Sequence, residues 1–306
     1  LDDMDAVRNS AGFRGVPDRL KIPEFCARCH SNAAFMHEHN PALPIDQLDK
    51  YKTSVHGTRL FSKGDKKVAT CVSCHTAHKI GDARMPHSST YPANIPATCG
   101  TCHSDRAYMA EYGIPTDQVS EYAKSVHGLA LVDKKDLSAP VCNDCHGNHG
   151  AAPPGTSSLS AVCGTCHAIE ARLYEDSPHK AAFESQQLPM CETCHGNHGI
   201  ERPTHALIGL GDGQLCANCH SADETNRAPM TIDSTAAGFA ALTSAADSAR
   251  MTLSDAANRG MMTTDEEFLL KEVDQTLIRM RGSIHAFSFD TLRPQVADGL
   301  TKAAKV

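Results

Sequence analysis

Every cysteine in this 306-residue chain sits in the same pentapeptide, two cysteines separated by two residues and followed at once by a histidine. The motif occurs at Cys26-Ala-Arg-Cys29-His30, Cys71-Val-Ser-Cys74-His75, Cys99-Gly-Thr-Cys102-His103, Cys142-Asn-Asp-Cys145-His146, Cys163-Gly-Thr-Cys166-His167, Cys191-Glu-Thr-Cys194-His195 and Cys216-Ala-Asn-Cys219-His220. Seven motifs use all 14 cysteines, which leaves none for a disulfide, a catalytic thiol or a separate metal site. Paired cysteines at this spacing also suit zinc ribbons. With 18 histidines in 306 residues, a given position is histidine about 6% of the time by chance, so seven histidines in seven following positions are not accidental.

A C-x-x-C-H motif is the attachment site of c-type haem, in which two thioethers hold the macrocycle and the histidine ligates iron from the proximal side. Seven covalently bound haem c groups are therefore expected on residues 26–220, about one per 28 residues. At that loading the porphyrins themselves form much of the apolar core. Ligation then couples to folding, as it does for other small metal domains.

The motifs recur in register. Cys26 to His78 and Cys99 to His149 are two copies of one dihaem unit, and Cys163 to His198 is a shortened third. The first copy contains Pro44-Ile-Asp46-Gln47 and later Tyr51-Lys-Thr-Ser54-Val55-His56-Gly57. The second contains Pro115-Thr-Asp117-Gln118 and Tyr122-Ala-Lys-Ser125-Val126-His127-Gly128. His56 precedes Cys71, and His127 precedes Cys142, by the same 15 positions, the mark of an internal duplication. In the third copy the segment reads Ser177-Pro178-His179-Lys180, 12 positions before Cys191. The seventh motif, at 216–220, stands alone.

Seven histidines belong to the motifs, and each unit adds two more at matching places. These are His56 and His78, His127 and His149, and His179 and His198, six candidates for the distal side of an iron. In a helical turn, positions three apart point to one side. His78, His149 and His198, each three residues after a proximal histidine, are therefore expected to serve a neighbouring haem. Among His37, His39, His87, His205 and His285, the last is the candidate for the seventh distal ligand. It ends a predicted helix, with Gly282 one turn before it, and its expected target is the haem at Cys216–His220. Met36 and Met109, six positions after a proximal histidine, read as packing residues, since enough histidine is present to ligate.

Local structure is expected to be mainly α with much irregular chain. Residues 1–25, with Pro17 and Pro23, read as an extended arm; 26–220 is the haem domain; 221–306 is a helical region. Short helices are predicted over Ala33–Glu38, Asp105–Tyr112, and from Asp46 and Asp117 up to a stop at Ser-Val-His-Gly. Proline-rich stretches at 81–96 and 151–160 read as loops, and no run alternates long enough for a strand. In the tail, Ser234–Arg259 predicts one helix. Thr264-Asp-Glu-Glu267 reads as a capping box opening a second to about Phe287, and a third starts near Asp290 with Pro294 in its first turns, making a hairpin or small bundle.

The formal charge is −7, which disfavours nucleic acid and favours redox partners with basic docking patches. No run of 18 apolar residues exists, so no transmembrane segment is expected. Leu1-Asp-Asp-Met carries neither a basic nor an apolar leader and reads as mature protein after signal removal.

The doubled Ser-x-His-Gly…C-x-x-C-H-x-x-H unit over 26–220 resembles the soluble multihaem cytochromes c of anaerobically respiring bacteria and archaea. That resemblance implies bis-histidine, low-spin haems in a close-packed chain, carrying electrons outside the cytoplasmic membrane, in the periplasm or at the cell surface. It implies a membrane quinol-oxidising complex or other multihaem cytochromes as partners. The leading expectation is an electron carrier rather than an enzyme. A subunit of an extracellular conductive filament is the first alternative, and a multihaem oxidoreductase of small nitrogen or sulfur compounds the second. Circular dichroism of haem-free protein should lack the helix signal of residues 26–220; native helicity without haem would contradict a haem-built core.

Overall fold

The computed structural model describes residues 17–154 and 159–306, which are mainly helical and contain no strand among the described residues. The described residues form two bodies, 17–154 with 198–200, and 159–197 with 201–306.

In the first body the sequence duplication becomes a structural one. Each copy opens on a helix that ends at its first motif, Ile22–His30 and Ile95–His103, with Pro23 and Pro96 in their first turns where a missing N–H costs nothing. A short helix follows, capped in one copy by the Asn32 side chain on the Phe35 N–H (3.1 Å) and in the other by Asp105 on the Tyr108 N–H (3.0 Å). Met36 and Met109, at matching places in these helices, are both buried.

The Ser-x-His-Gly segment stops a helix, as expected, and at once starts another. Gln47–Thr53 gives way to Val55–Lys63, and Gln118–Lys124 to Val126–Asp133, with Ser54 and Ser125 as the shared corner residues. Both serines are buried. Ser54 Oγ donates to the Tyr51 carbonyl (2.6 Å) and accepts from the Gly57 N–H (2.9 Å); Ser125 does the same with Tyr122 (2.7 Å) and Gly128 (3.1 Å). One hydroxyl thus closes the first helix and opens the second. The glycine follows from the tightness of the corner. A Cβ at Gly57 would lie 1.9 Å from the Tyr51 carbonyl oxygen, and one at Gly128 2.0 Å from that of Tyr122. The corner tyrosines reach on to the chain entering the second motif, Tyr51 OH to the Ala69 carbonyl (2.7 Å) and Tyr122 OH to the Pro140 carbonyl (3.0 Å). Leu60 and Leu131 bury the inner face of the second helix, the latter with Ala139 and Val141.

The second body combines the third copy and the tail. Leu159–Gly164 leads into the Cys163 motif and Met190–His195 holds the Cys191 motif, with Ala168–Glu175 and Pro178–Gln186 between them. Tyr174, Phe183 and Met190 form a small apolar cluster there. Tyr174 and Ser177 keep the positions of the corner pair, but Lys180 replaces the glycine, and the Ser177 hydroxyl has no protein partner among the described residues. The tail is a three-helix bundle of Ala228–Asn258, Thr264–Ser283 and Phe289–Ala303, with Pro294 inside the last. Its core repeats at helical spacing: Phe239, Leu242 and Ala246 against Val273, Leu277 and Met280, and against Leu292, Val296 and Ala303. The bundle has an ordinary hydrophobic core of its own.

Two expectations need correction. The part of the 1–25 arm that is described is not extended: Asp18 caps a 3-10 turn at Arg19–Lys21 that runs straight into Ile22–His30, while residues 1–16 lie outside the described residues. The second tail helix begins at Thr264 with Thr263 as its cap, and it is the Thr263 hydroxyl that meets the Glu267 side chain (3.0 Å), so the box predicted one position later does not form.

Replacing Gly57 or Gly128 by alanine drives a methyl group into backbone rather than into a movable side chain. Each change should lower stability by about 1–3 kcal/mol or more, read as a fall in the denaturant midpoint. An unchanged midpoint would mean that the corner opens without cost.

Candidate functional site

Some motif histidines lie close enough to a second one to lower its proton affinity, His30 acting on His75, His146 on His103 and His167 on His195. Each of five motif histidines faces a histidine from elsewhere in the chain, ring opposite ring. His103 faces His56 with centroids 6.2 Å apart, and His75 faces His149 at 6.1 Å. His146 faces His198 at 5.9 Å, His195 faces His285 at 6.0 Å, and His220 faces His179 at 6.0 Å. Three pairs are stacked, with interplanar angles of 14°, 14° and 29°, and the other two are turned by 59° and 83°.

The spacing carries chemical information. A metal–imidazole bond is about 2.0–2.1 Å, and the ligating nitrogen lies about 1.1 Å from its ring centre, so two imidazoles on opposite sides of one metal have centroids about 6.3 Å apart. The five pairs stand at that separation. A tetrahedral zinc site would need three or four Cys, His or carboxylate donors converging, and among the described residues no such group of three occurs. A metal with two protein ligands fits the centroid separation of the pairs.

Protonation suits the role. Burial pushes the His56, His75, His103, His149, His179 and His195 imidazoles below their ordinary value, and the facing ring adds to this for His56, His149, His179 and His195. These rings are neutral at pH 7 and keep a lone pair to offer. Three more are oriented by their other nitrogen. Nδ1 of His146 donates to the Ala152 carbonyl (3.2 Å), Nδ1 of His285 to the Gly282 carbonyl (3.0 Å) and Nδ1 of His220 to Glu224 (3.2 Å). Each contact fixes the proton on Nδ1 and leaves Nε2 as the donor atom, the usual support for a metal-bound histidine.

The cysteines are placed with equal regularity. The leading thiols of the two motifs in each copy are hydrogen-bonded: Cys26 with Cys71, Cys99 with Cys142, and Cys163 with Cys191. The shared proton pulls Cys26 and Cys191 down to about 7 and lowers Cys142, while the partner thiols are pushed up.

A register governs who faces whom. The histidine of a Ser-x-His segment faces the first motif of the next copy (His56 to His103) or the lone motif (His179 to His220). The trailing histidine of a copy faces the second motif of the copy before it (His149 to His75, His198 to His146). A backbone bond accompanies each trailing contact. The Ala151 carbonyl accepts from the Val55 N–H (3.0 Å), and the Ile200 carbonyl from the Val126 N–H (2.9 Å). The turn that swings the trailing histidine out has a positive φ at Gly147 (79°) and Gly196 (70°), and Thr76 adopts the same region (62°) ahead of His78.

His285, expected to serve Cys216–His220, faces His195 instead, because His179 already occupies the place opposite His220. The gap foreseen beside Gly282 is taken by the Glu170 carboxylate, 3.1 Å from where a Cβ would be. His127 lies in the first turn of Val126–Asp133 as His56 does in Val55–Lys63, and His167 directly precedes Ala168–Glu175. His30 and His78 are exposed, and no histidine ring faces either among the described residues. Of the surplus histidines, His39 stacks on Phe35, His205 stacks on Phe239, and His87 packs beside Gly81, while His37 is exposed. Sequence reasoning missed Glu224, whose position four residues after His220 on a turn was the available signal, and the clasping carbonyls of Ala151 and Ile200, which no side chain announces.

Neither a protein-family profile nor a curated protein sequence matches this chain.

Because the six buried rings hold their protons less tightly when folded than an unfolded histidine does (about 6.5), the unfolded chain gains protons first as pH falls. The stability they contribute is full above about pH 6.5 and is lost as pH drops through that value toward the lower folded ones. Urea midpoints of the haem-loaded protein should fall between pH 7 and pH 5; a rising midpoint would mean the rings are charged in the folded state.

Proposed function

We propose that this protein is an electron carrier that holds seven haem c groups and passes electrons between redox partners. The single observation that carries the reading is the set of five imidazole pairs. Each joins a histidine that follows a C-x-x-C pair to one that does not, at the distance two ligands of one iron require. Cys26, Cys29, Cys71, Cys74, Cys99, Cys102, Cys142, Cys145, Cys163, Cys166, Cys191, Cys194, Cys216 and Cys219 would hold the macrocycles. Proximal ligation falls to the motif histidines. His56, His149, His179, His198 and His285 would ligate from the far side, with His127 and His78 as the further distal candidates.

Haem c, when bound, supplies a one-electron ferric/ferrous couple, and two histidine ligands leave no open iron position for a substrate. That supports a carrier over an enzyme. The contacts between the leading cysteines of each copy bring successive attachment points together, which favours transfer along the chain. The net charge of −7 suits partners that present basic surfaces. No helix among the described residues is long and apolar enough to cross a membrane. Haem attachment at these motifs and the resemblance to multihaem cytochromes c together place the proposed role in the periplasm or at the cell surface, facing a quinol-oxidising complex or other cytochromes.

Haem quantitation on protein made with a c-type maturation system should give seven haems per chain, and electron paramagnetic resonance should show low-spin iron. Changing His285 to alanine should turn one iron of the seven high-spin and leave the rest as they were. Bound zinc in place of haem, or a wild-type iron that is high-spin and binds nitrite, would overturn the carrier reading.

A further inference from the structure

Three of the paired rings are oriented through Nδ1, and their acceptors differ in charge. His146 and His285 donate to backbone carbonyls, those of Ala152 and Gly282. His220 donates to a carboxylate, Glu224 Oε2 at 3.2 Å. Two further donors hold that carboxylate in place. The Ser221 N–H reaches Oε1 (3.0 Å), and the Asn226 side-chain amide reaches Oε2 (2.8 Å). Asn226 is tied down in turn, its Oδ1 accepting from the Ala228 N–H where the first tail helix begins (2.8 Å). Among the described residues no lysine or arginine pairs with Glu224, so no cation competes with the ring for it. The two side chains are only 25% and 24% exposed. The facing ring is supported differently. The buried Nδ1 of His179 has no hydrogen-bond partner among the described residues, and its ring lies against Phe287 at 3.8 Å and edge-on to Phe183 at 5.7 Å. Of the two rings, one leans on an anion and the other on hydrocarbon.

We propose that Glu224 is a positioning residue that sets the redox potential of the haem at Cys216–His220, its carboxylate holding that iron at a lower potential than a neutral acceptor would. This rests on the haem reading above. An N–H that donates to an anion makes its ring a more electron-rich ligand at the other nitrogen. Ferric iron carries one positive charge more than ferrous iron and gains more from such a ligand, and hydrogen bonding behind an axial ligand is one of a protein's levers on potential. One electron passes from a reduced partner to the ferric iron; no bond forms or breaks and no proton moves, so the carboxylate acts through its charge. Because the pair is largely shielded from water, its effect is screened less than that of a surface ion pair. His179, with no acceptor on its own Nδ1, does not offset it. The haem is therefore harder to reduce and, once reduced, a stronger donor than two neutral imidazoles alone would make it. If Glu224 served only to tie its own turn together, a neutral side chain of the same shape would do as well, since Ser221 and Asn226 could still bond to it.

The test is a redox titration of haem-loaded protein, followed by visible absorbance and by electron paramagnetic resonance of poised samples. The rings of His179 and His220 cross at 83°. Crossed rings leave two iron d orbitals nearly equal in energy, so this iron's low-spin signal stands at larger g than those of the stacked pairs and can be followed apart from them. Glu224→Gln keeps the shape and the acceptor oxygen but removes the charge. It should move that one signal to higher potential, leave the other six haems in place and keep every iron low-spin. Glu272→Gln removes the same charge from a carboxylate paired with Lys302 in the tail, and it should move none. No shift on Glu224→Gln, a downward shift, an equal shift on Glu272→Gln, or a seventh haem lost or turned high-spin by Glu224→Gln overturns the proposal and leaves the carrier reading standing. A chain that takes up no haem overturns the reading on which the proposal rests.

Discussion

An imidazole can ligate a metal only when it is neutral, aimed and held at a fixed distance, and most of this structure can be traced to meeting those three demands repeatedly. Burial keeps the facing rings neutral. Backbone carbonyls and Glu224 orient several of them through the nitrogen that does not ligate. Distance is set by the corner in which one serine hydroxyl ends a helix and starts another, since that corner fixes where the histidine two residues later can point. In the first body the apolar clusters are small by comparison, and the backbone is tied down chiefly around the pairs.

The bundle over 228–303 obeys different rules. Phe239, Leu242, Val273, Met280 and Leu292 interlock as in any helical domain, with no cysteine among them. It is joined to the paired histidines by one short 3-10 turn, which carries His285 out of the second helix and against His195. Phe287, two residues on, covers the His179 ring at 3.8 Å. The tail thus both packs as a conventional domain and places one ring in the array.

How much of this was legible in the sequence depended on the range of the interaction. The C-x-x-C-H motifs, the duplication and the matching Ser54 and Ser125 segments could be read, because each is local or repeats at a fixed offset. The three tail helices were legible from local start and stop signals, with the box at Thr264 one position out. The pairing of rings was not, because it joins residues far apart along the chain: spacing identified His285 as a candidate but could not tell that His179 would already stand opposite His220. The glycine after His56 and His127 reads as a helix stop to propensity alone. Only the closeness of the Tyr51 and Tyr122 carbonyls shows it to be the condition for a restart. The clasping bonds at Ala151 and Ile200 use backbone atoms, which every residue has and no sequence distinguishes.

The three turns that throw a trailing histidine outward are not energetically alike. At Gly147 and Gly196 the positive φ is free of steric penalty, whereas at Thr76 a β-branched side chain occupies the same region, with ψ at 172°. That corner of the backbone map is almost reserved for glycine and costs other residues about 1–3 kcal/mol. The first copy's arm therefore carries a standing tension that its two siblings lack. Of three turns of one design, only the first is held at a cost.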